Sequence, residues 1–351
     1  MADSMLRVEN IAGKGRGLVA SQALKAGQVI LTEPPLILYS SSPLTSSSSY
    51  CDHCFRTLPP TLLSCPSCLN HHFCSNKCFS TSLNSSHSST VCQALLSLQH
   101  SPLLQQHHQV QARFVVALHN LAVSEINTLL SLHGTPDDSI LQDANFLHDL
   151  ISPLFPNIKL SVDLVAQALA KDRINSFCLM EPYNPNGPQR SIKAYGIYPK
   201  ATMFNHDCVP NACRFDYMNT TYTDTNTNHI VIRLIKDVDE GEEICISYFR
   251  IGRDYATRKR ILMEDYGFVC GCERCKVEAS WSNNDENEDH DHVPHVRFLK
   301  KHVCNIKNCG GTLAPVPPKH DAPFNNNVLE CNFCGNFKID DDDDDDDDDV
   351  I

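Results

Sequence analysis

Residues 205–211 read Asn205-His206-Asp207-Cys208-Val209-Pro210-Asn211, a run of polar side chains around a single cysteine. Far along the chain, Cys270, Cys272 and Cys275 supply three thiols, one fewer than a tetrahedral metal site needs. Cys208 is the natural fourth ligand. The spacing therefore predicts a metal site whose ligands come from two distant parts of the chain.

Most of the 18 cysteines occur in close pairs or clusters with the spacing of metal ligands. In a reducing compartment they are not expected to form disulfides. Between residues 51 and 92, eight ligands in four pairs suffice for two tetrahedral zinc sites. An interleaved arrangement assigns Cys51, Cys54, Cys74 and Cys78 to one ion, and Cys65, Cys68, His87 and Cys92 to the other. His71 and His72 are rival ligands, although their position between the pairs fits poorly.

A further cluster near the end of the chain reads Cys304-x4-Cys309 and Cys331-x2-Cys334. Gly310 and Gly335 follow its second and fourth cysteines, and glycine lets each loop turn so that backbone N–H groups face the sulfurs. This pattern predicts a fourth, ribbon-like zinc site, with a metal-free loop as the alternative. Three isolated cysteines, Cys178, Cys213 and Cys245, are interpreted as small buried hydrophobes.

Charge and hydropathy exclude two classes of protein. The net charge is −13, but Asp340 to Asp349 is a run of ten aspartates, and −13 + 10 leaves −3 for the rest of the chain. A nearly neutral body argues against a dedicated nucleic-acid binder. No apolar run reaches the ~18 residues of a membrane span, and no signal peptide is found at the start. The sequence thus predicts a protein of the cytosol or nucleus.

Three motifs resemble one known fold. They are the run at 205–211, Gly241-Glu242-Glu243-Ile244 followed by Ile246-Ser247-Tyr248, and Cys270-Gly271-Cys272 with Cys275. Together they resemble the SET domain of lysine methyltransferases, and the eight-ligand cluster resembles a MYND zinc finger inserted into it. The combination is typical of the SET and MYND (SMYD) family, and the likeness covers roughly residues 5 to 280. Only about 70 residues follow, so the chain resembles the short plant members, which lack the C-terminal helical repeat domain.

The resemblance implies an α+β fold: a β-rich SET domain split by a MYND zinc finger, a helical insert, a post-SET zinc site and a C-terminal zinc-ribbon-like segment. The expected boundaries are 5–40 for the N-terminal SET part, 51–92 for the finger, 93–170 for the helical insert, 171–250 for the SET core, 251–280 for the post-SET segment, 300–338 for the ribbon and 340–349 for the acidic tail.

The resemblance also implies an enzyme that transfers a methyl group from S-adenosylmethionine to a protein lysine. The residues expected to bind this cofactor are Lys14, Gly15, Arg16, Gly17, Asn175, Asn205, His206, Tyr248 and Phe268. Tyr248 matches the catalytic tyrosine, and Tyr198 and Tyr266 are candidates for the channel that holds the lysine. Without the resemblance, Gly15–Gly17 and Asn205-His206 could be ordinary turns, and each aromatic residue could pack in the core.

Expected partners follow in the same way. A histone is the expected substrate and the nucleus the expected site, with a cytosolic non-histone substrate as an alternative. The finger resembles modules that bind proline-containing peptides, so a recruiter with a silent SET domain is the main rival function. DNA binding is disfavoured, because residues 51–92 hold only Arg56 and Lys77 against Asp52. A monomer is expected. The acidic tail is either a solubilising end or an electrostatic attractor of basic substrates.

Overall fold

The computed structural model describes residues 5–44, 48–105, 108–187, 190–216, 228–281, 292–317 and 327–340. It is a mixed α+β fold, as predicted. Its strands are β1 (Leu6–Ile11), β2 (Gly15–Ala20), β3 (Val29–Glu33), β4 (Ile37–Ser40), β5 (Leu63–Ser64), β6 (His72–Phe73), β7 (Ser176–Met180), β8 (Ile192–Ile197), β9 (Asn205–His206), β10 (Ala212–Asp216), β11 (Ile230–Leu234), β12 (Glu243–Ile246), β13 (Leu313–Pro315), β14 (Val328–Cys331) and β15 (Phe337–Ile339).

The helices are α1 (Asn76–Ser82), α2 (Ser89–Gln99), α3 (His108–Leu118), α4 (Val123–Leu130), α5 (Asp138–Ile151), α6 (Val162–Asn175), α7 (Tyr255–Tyr266), α8 (Glu273–Glu278) and α9 (Pro294–His302), with short 3-10 turns at Ser152–Leu154 and Ala201–Met203. Local sequence sets several of their ends. The side chain of Asp254 accepts from the backbone N–H of Thr257 at the start of α7, and Gly267 ends that helix with φ of 75°.

Small sheets form the β-rich part. They run β1-β2-β12-β9, β10-β11-β3, β4-β8-β7, β13-β14-β15 and β5-β6. Strand β9 pairs in parallel with β12, so that Asn205 lies opposite Cys245 and His206 opposite Ile246. This pairing brings the two most specific motifs of the sequence side by side, although they are distant along the chain.

Two apolar cores support the fold. One lies among α2 to α6 and includes Phe114, Leu147 and Leu169, which are almost fully buried. The other lies between the sheets and includes Ile30, Phe204 and Ile232. The helical core lies within the helical insert that the resemblance implies for residues 93–170. No helix in the described ranges is both long and apolar enough to span a bilayer. Of the predicted acidic tail, only Asp340 lies within the described residues.

Candidate active site and zinc centres

One cavity of about 1250 Å³ gathers most of the predicted ligand-binding residues. Those that line it are Lys14, Gly15, Arg16, Asn175, Asn205, His206, Tyr248, Tyr266 and Phe268. They come from the β1–β2 turn, the end of α6, β9, the loop after β12 and the end of α7. A cavity of this size is large enough for a cofactor-sized ligand together with a second side chain.

The polar end of the cavity is held by Asn205. Its Nδ2 donates to Glu243 Oε1 at 2.9 Å and to the carbonyl of Arg16 at 3.2 Å. Glu243 also pairs with Lys14, whose Nζ lies 2.6 Å from Oε2. Burial alone acts to lower the pKa of Lys14, but the hydrogen bond with Glu243 and the nearby negative groups together raise it. The turn at 14–16 is thus fixed to the strand pair β9–β12.

Gly17 does not line the cavity in the described structure but packs behind it. A Cβ added there would lie 2.7 Å from Asn205 Nδ2 and 2.7 Å from Ile11 Cγ1. The glycine therefore leaves the space that the Asn205 side chain occupies. Its contact with the cofactor stays a prediction.

Asn175 ends α6 and is almost fully buried. Its Nδ2 donates to the carbonyls of His133 and Lys171, both at 2.7 Å. These bonds use the donor side of the amide and leave the side-chain oxygen as the group that can accept from a ligand.

The aromatic end of the cavity centres on Tyr248. Its hydroxyl donates to the carbonyl of Phe204 at 3.1 Å, and its ring lies 4.8 Å from the Tyr266 ring between centroids. The centroid of the His206 ring lies 5.2 Å from that of the Tyr248 ring. His206 Nδ1 accepts from the backbone N–H of Tyr248 at 3.2 Å. Burial raises the pKa of Tyr248 above its usual range and that of Tyr266 to about 12. Both hydroxyls stay neutral at physiological pH.

Tyr198 corrects one prediction. It was a candidate for the lysine channel, but it is fully buried in the core between the sheets and does not line the cavity. Its hydroxyl donates to the carbonyl of Asn228 at 2.9 Å, and its ring packs edge-on against Phe177. Tyr198 therefore packs in the core, which was the alternative to a place in the channel. Its apolar neighbours in sequence are compatible with either position, so the sequence could not distinguish them.

The structure brings together the four ligand sets that the spacing predicted. They are Cys51, Cys54, Cys74 and Cys78; Cys65, Cys68, His87 and Cys92; Cys208, Cys270, Cys272 and Cys275; and Cys304, Cys309, Cys331 and Cys334. Within each set the ligand atoms lie within 4.8 Å of one another. His71 approaches Cys68, with Nδ1 3.6 Å from Sγ, but it is not a member of the four-atom set.

The distances fit zinc. A tetrahedral ion with Zn–S bonds of ~2.3 Å places its sulfurs ~3.8 Å apart. Sγ–Sγ distances are 3.6 Å for Cys54 and Cys74, and 3.8 Å for Cys65 and Cys92. They are 3.5 Å for Cys208 and Cys275. In the ribbon-like set, the distances are 3.7 Å and 3.5 Å for its two closest pairs. All four sets therefore have ligand atoms close enough together to hold a zinc ion.

The third zinc set has a cationic neighbour that the sequence reading missed. Arg258 is fully buried, and its guanidinium donates to Cys208 Sγ at 3.3 Å and to Glu278 at 2.8 Å. Four thiolates around one Zn²⁺ carry a net charge of −2, which a buried arginine offsets. Sequence spacing does not reveal such a neighbour. In the sequence, Arg258 is one of three basic residues at 258–260, and nothing distinguishes it from the other two.

Further cavity residues were also missed. Cys178 and Arg214 line it beside Tyr266, and Thr312, Asn332 and Phe333 reach it from the ribbon-like set. No local pattern marks these residues: strands β7 and β10 place Cys178 and Arg214 at the cavity, and docking of the ribbon brings the other three.

Comparison with known proteins agrees with this geometry. Residues 15–249 match the model of the SET domain. The chain is 44% identical to histone-lysine N-methyltransferase ASHR2 of Arabidopsis thaliana, over 97% of this chain and 96% of that one. It is 25% identical to ASHR1 of the same plant, over 90% of this chain and 62% of that one, and 25% identical to human SMYD3, over 85% and 69%. The predicted resemblance is confirmed, and the chain belongs to the SET-domain family.

Proposed function

We propose that the protein is an S-adenosylmethionine-dependent protein-lysine N-methyltransferase. One observation carries the proposal: a single cavity gathers the polar group around Asn205, the buried Tyr248 hydroxyl and the aromatic ring of Tyr266. Family membership and the printed names of the relatives support the same reaction. A silent SET domain is not favoured, because these groups are present and oriented by hydrogen bonds.

S-adenosylmethionine supplies an electrophilic methyl group on a sulfonium. The polar end of the cavity fits its remaining parts. Asn175 offers an amide oxygen, Phe268 an apolar face, and Arg16 a cation for a carboxylate. Lys14 serves the same end indirectly, since its ammonium is held by Glu243.

The aromatic end orients the lysine. Because Tyr248 and Tyr266 keep their protons, they act through hydrogen bonds and packing rather than as bases. The Tyr248 oxygen can hold the amine and contact a transferring methyl group through weak C–H···O interactions. The amine has a reference pKa of about 10.4 and loses its proton more easily in an apolar channel beside a cation. Alignment and a preorganised polar site account for the rate.

The substrate and partners belong to the proposal as well. The names of the relatives favour histone lysines as the first substrates to test, and the nucleus as the site of action. The two zinc sets between residues 51 and 92 form a MYND-type module that binds a peptide. Leu62, Leu63 and Leu69 support this role, since all three are exposed on the module.

The test is transfer of labelled methyl groups from S-adenosylmethionine to core histones and, in parallel, to cell extract. Tyr248→Phe is expected to lower the rate by about a hundredfold, the usual cost of removing one preorganised polar group. It should keep its zinc and its affinity for S-adenosylhomocysteine. Tyr255→Phe, on α7 and outside the cavity, is the matched control. Folded, zinc-loaded wild type that labels nothing and binds no S-adenosylhomocysteine would leave the recruiter as the better account.

A further inference from the structure

The C-terminal ribbon contributes part of the wall of the cavity. Thr312, Asn332 and Phe333, which lie between or beside the ribbon cysteines, line the same cavity as Tyr248. Asn332 Nδ2 donates to the carbonyl of Arg214 at 2.9 Å, and its Oδ1 accepts from the Thr312 N–H at 2.7 Å. The ribbon wall is therefore held against the SET part by bonds at the cavity itself.

Phe333 orders two guanidinium groups. The Cζ of Arg190 lies 5.3 Å from the centroid of the Phe333 ring and that of Arg250 lies 5.5 Å from it. Arg190 Nη1 also donates to the Phe333 carbonyl at 3.1 Å. Contacts of this kind reduce the conformational freedom of an arginine and hold its positive charge beside the cavity.

Arg214 extends this cationic surface. Its Cζ lies 5.4 Å from the Phe177 ring, and its Nη2 donates to the carbonyl of Cys178 at 3.0 Å. Arg253, whose side chain is exposed, lines the cavity as well. We name the surface formed by Arg190, Arg214, Arg250, Arg253 and Phe333 the arginine wall.

The arginine wall lies at the aromatic end of the cavity. Tyr266 is in ring contact with Tyr248, and the charge of Arg214 acts on Tyr266. Arg250 follows Tyr248 by two residues. The polar end is formed by Lys14 and Asn205, and His206, next to Asn205 in β9, is in ring contact with Tyr248. A lysine whose amine reaches Tyr248 therefore has its own polypeptide next to the arginine wall.

The charge of the lining is one-sided. Among the described residues that line the cavity, six are Lys or Arg (Lys14, Arg16, Arg190, Arg214, Arg250 and Arg253) and one, Asp207, carries a carboxylate. Four of the six cations belong to the arginine wall. Such a surface attracts carboxylates and repels a strongly basic polypeptide.

We propose that the arginine wall binds acidic side chains next to the target lysine, so that the preferred substrate lysine has Asp or Glu within a few residues. The inference rests on the proposed function and adds a substrate preference to it. It selects lysines in acidic sequence over lysines in basic tails, whether the substrate is a histone or another protein. It also gives the ribbon a role: Phe333 and Asn332 shape the wall, and the fourth zinc ion holds them in place.

The experiment uses the full chain and three synthetic peptides, each with one central lysine. The lysine is flanked by Asp and Glu in the acidic peptide, by Asn and Gln in the amide peptide, and by Arg in the basic peptide. Affinity is measured by fluorescence anisotropy in the presence of S-adenosylhomocysteine, and methyl transfer is measured separately. The acidic peptide is expected to bind about tenfold more tightly than its amide counterpart, since each surface ion pair contributes up to about fivefold. Its advantage should shrink as salt is raised.

Arg250→Gln and Arg253→Gln should each reduce the preference for the acidic peptide several-fold, mainly in KM, and leave the affinity for the amide peptide unchanged. Arg250→Lys should restore part of it. Arg260→Gln is the control, because Arg260 is exposed and lies outside the cavity. Equal affinity for the acidic and amide peptides in wild type, or a variant that weakens both equally, would overturn the proposal.

Two further outcomes separate this inference from its alternatives. If no peptide or protein is methylated but the acidic peptide still binds selectively, the proposed reaction fails while the arginine wall stands. If the full chain prefers the basic peptide, while a chain ending at residue 340 binds all three peptides equally, the preference belongs to the acidic tail and the proposal is wrong.

Discussion

Arg258 shows what a single side chain contributes that sequence spacing cannot reveal. It is fully buried in α7, where it meets Cys208, Cys275 and Glu278. Spacing predicted the four thiols, because ligands of a structural zinc recur at fixed short intervals. The cation that balances them comes from another element at no fixed interval, so it could not be predicted in the same way.

Arg258→Leu is expected to lose the third zinc ion and to lower the free energy of unfolding by about 3–5 kcal/mol, because it removes the buried cation beside the thiolates and leaves Glu278 with Arg274 as its remaining buried guanidinium partner. The zinc content is measured by elemental mass spectrometry, and the free energy of unfolding by chemical denaturation. Arg260→Leu is the control, since its pair with Glu264 is 61% and 59% exposed and such pairs contribute at most about 1 kcal/mol. Full zinc content with stability unchanged in Arg258→Leu would contradict this account of the site.

At the scale of elements, the packing of β2 against β9 depends on Gly17, because its missing side chain leaves room for Asn205. Gly17→Ala places a methyl group 2.7 Å from Asn205 Nδ2, which forces the Asn205 side chain from its bonds with Arg16 and Glu243. We expect affinity for S-adenosylhomocysteine to fall about tenfold or more, because one charge-assisted hydrogen bond contributes about 1.5–3 kcal/mol. Isothermal titration calorimetry measures it.

Gly252→Ala is the matched control for this change. Its added Cβ meets nothing closer than 3.7 Å, which is ordinary contact. An unchanged affinity in Gly17→Ala would show that Asn205 does not position the ligand, and the polar end of the cavity would need another explanation.

Helix α6 and strand β4 are joined by a buried acid. Both carboxylate oxygens of Asp172 accept from the Tyr39 hydroxyl, at 2.8 and 2.7 Å, with Cys178 and Tyr195 nearby. Burial raises the pKa of Asp172 to about 7, and the bond with Tyr39 offsets only part of that shift.

A raised folded-state pKa has a definite consequence for stability. In the unfolded chain Asp titrates near 3.9, so between about pH 4 and pH 7 the folded state holds more protons. The contribution of Asp172 to stability therefore falls as pH rises through this window, by about 1.4 kcal/mol for each pKa unit. Asp172→Asn should gain stability relative to wild type as pH rises from 5.5 to 8, measured by urea denaturation. Asp163→Asn, exposed on the same helix, should show no such trend; a parallel trend in both variants would contradict the prediction.

For the whole molecule, cysteine spacing predicted the four zinc sets, while the family resemblance implied the α+β class and nine of the residues that line the cavity. Both kinds of prediction failed where distant elements dock. Tyr198 has the residue type of a channel aromatic, yet tertiary packing places it in the core. Phe333 and Asn332 carry no motif, yet docking of the ribbon brings them to the cavity. Contacts between elements far apart in sequence decide both cases, and they leave no periodic signal in either partner.

The bond that docks the ribbon offers a final prediction. Arg233 in β11 is fully buried, with its guanidinium 3.7 Å from the Phe215 ring centroid and 2.7 Å from Glu330 in β14. Removing one partner of a buried pair costs about 3–5 kcal/mol, because the other charge stays buried. Since Arg233 belongs to the SET part and Glu330 to the ribbon, Glu330→Gln should destabilise both as one unit. Circular dichroism and zinc release should then lose their signals at the same, lower urea concentration, whereas Glu264→Gln, in an exposed pair, should move neither by more than the equivalent of about 1 kcal/mol. If zinc release alone moved to lower urea, the ribbon would unfold separately from the SET part. The burial of Arg233 would then not depend on the ribbon, and the prediction would be wrong.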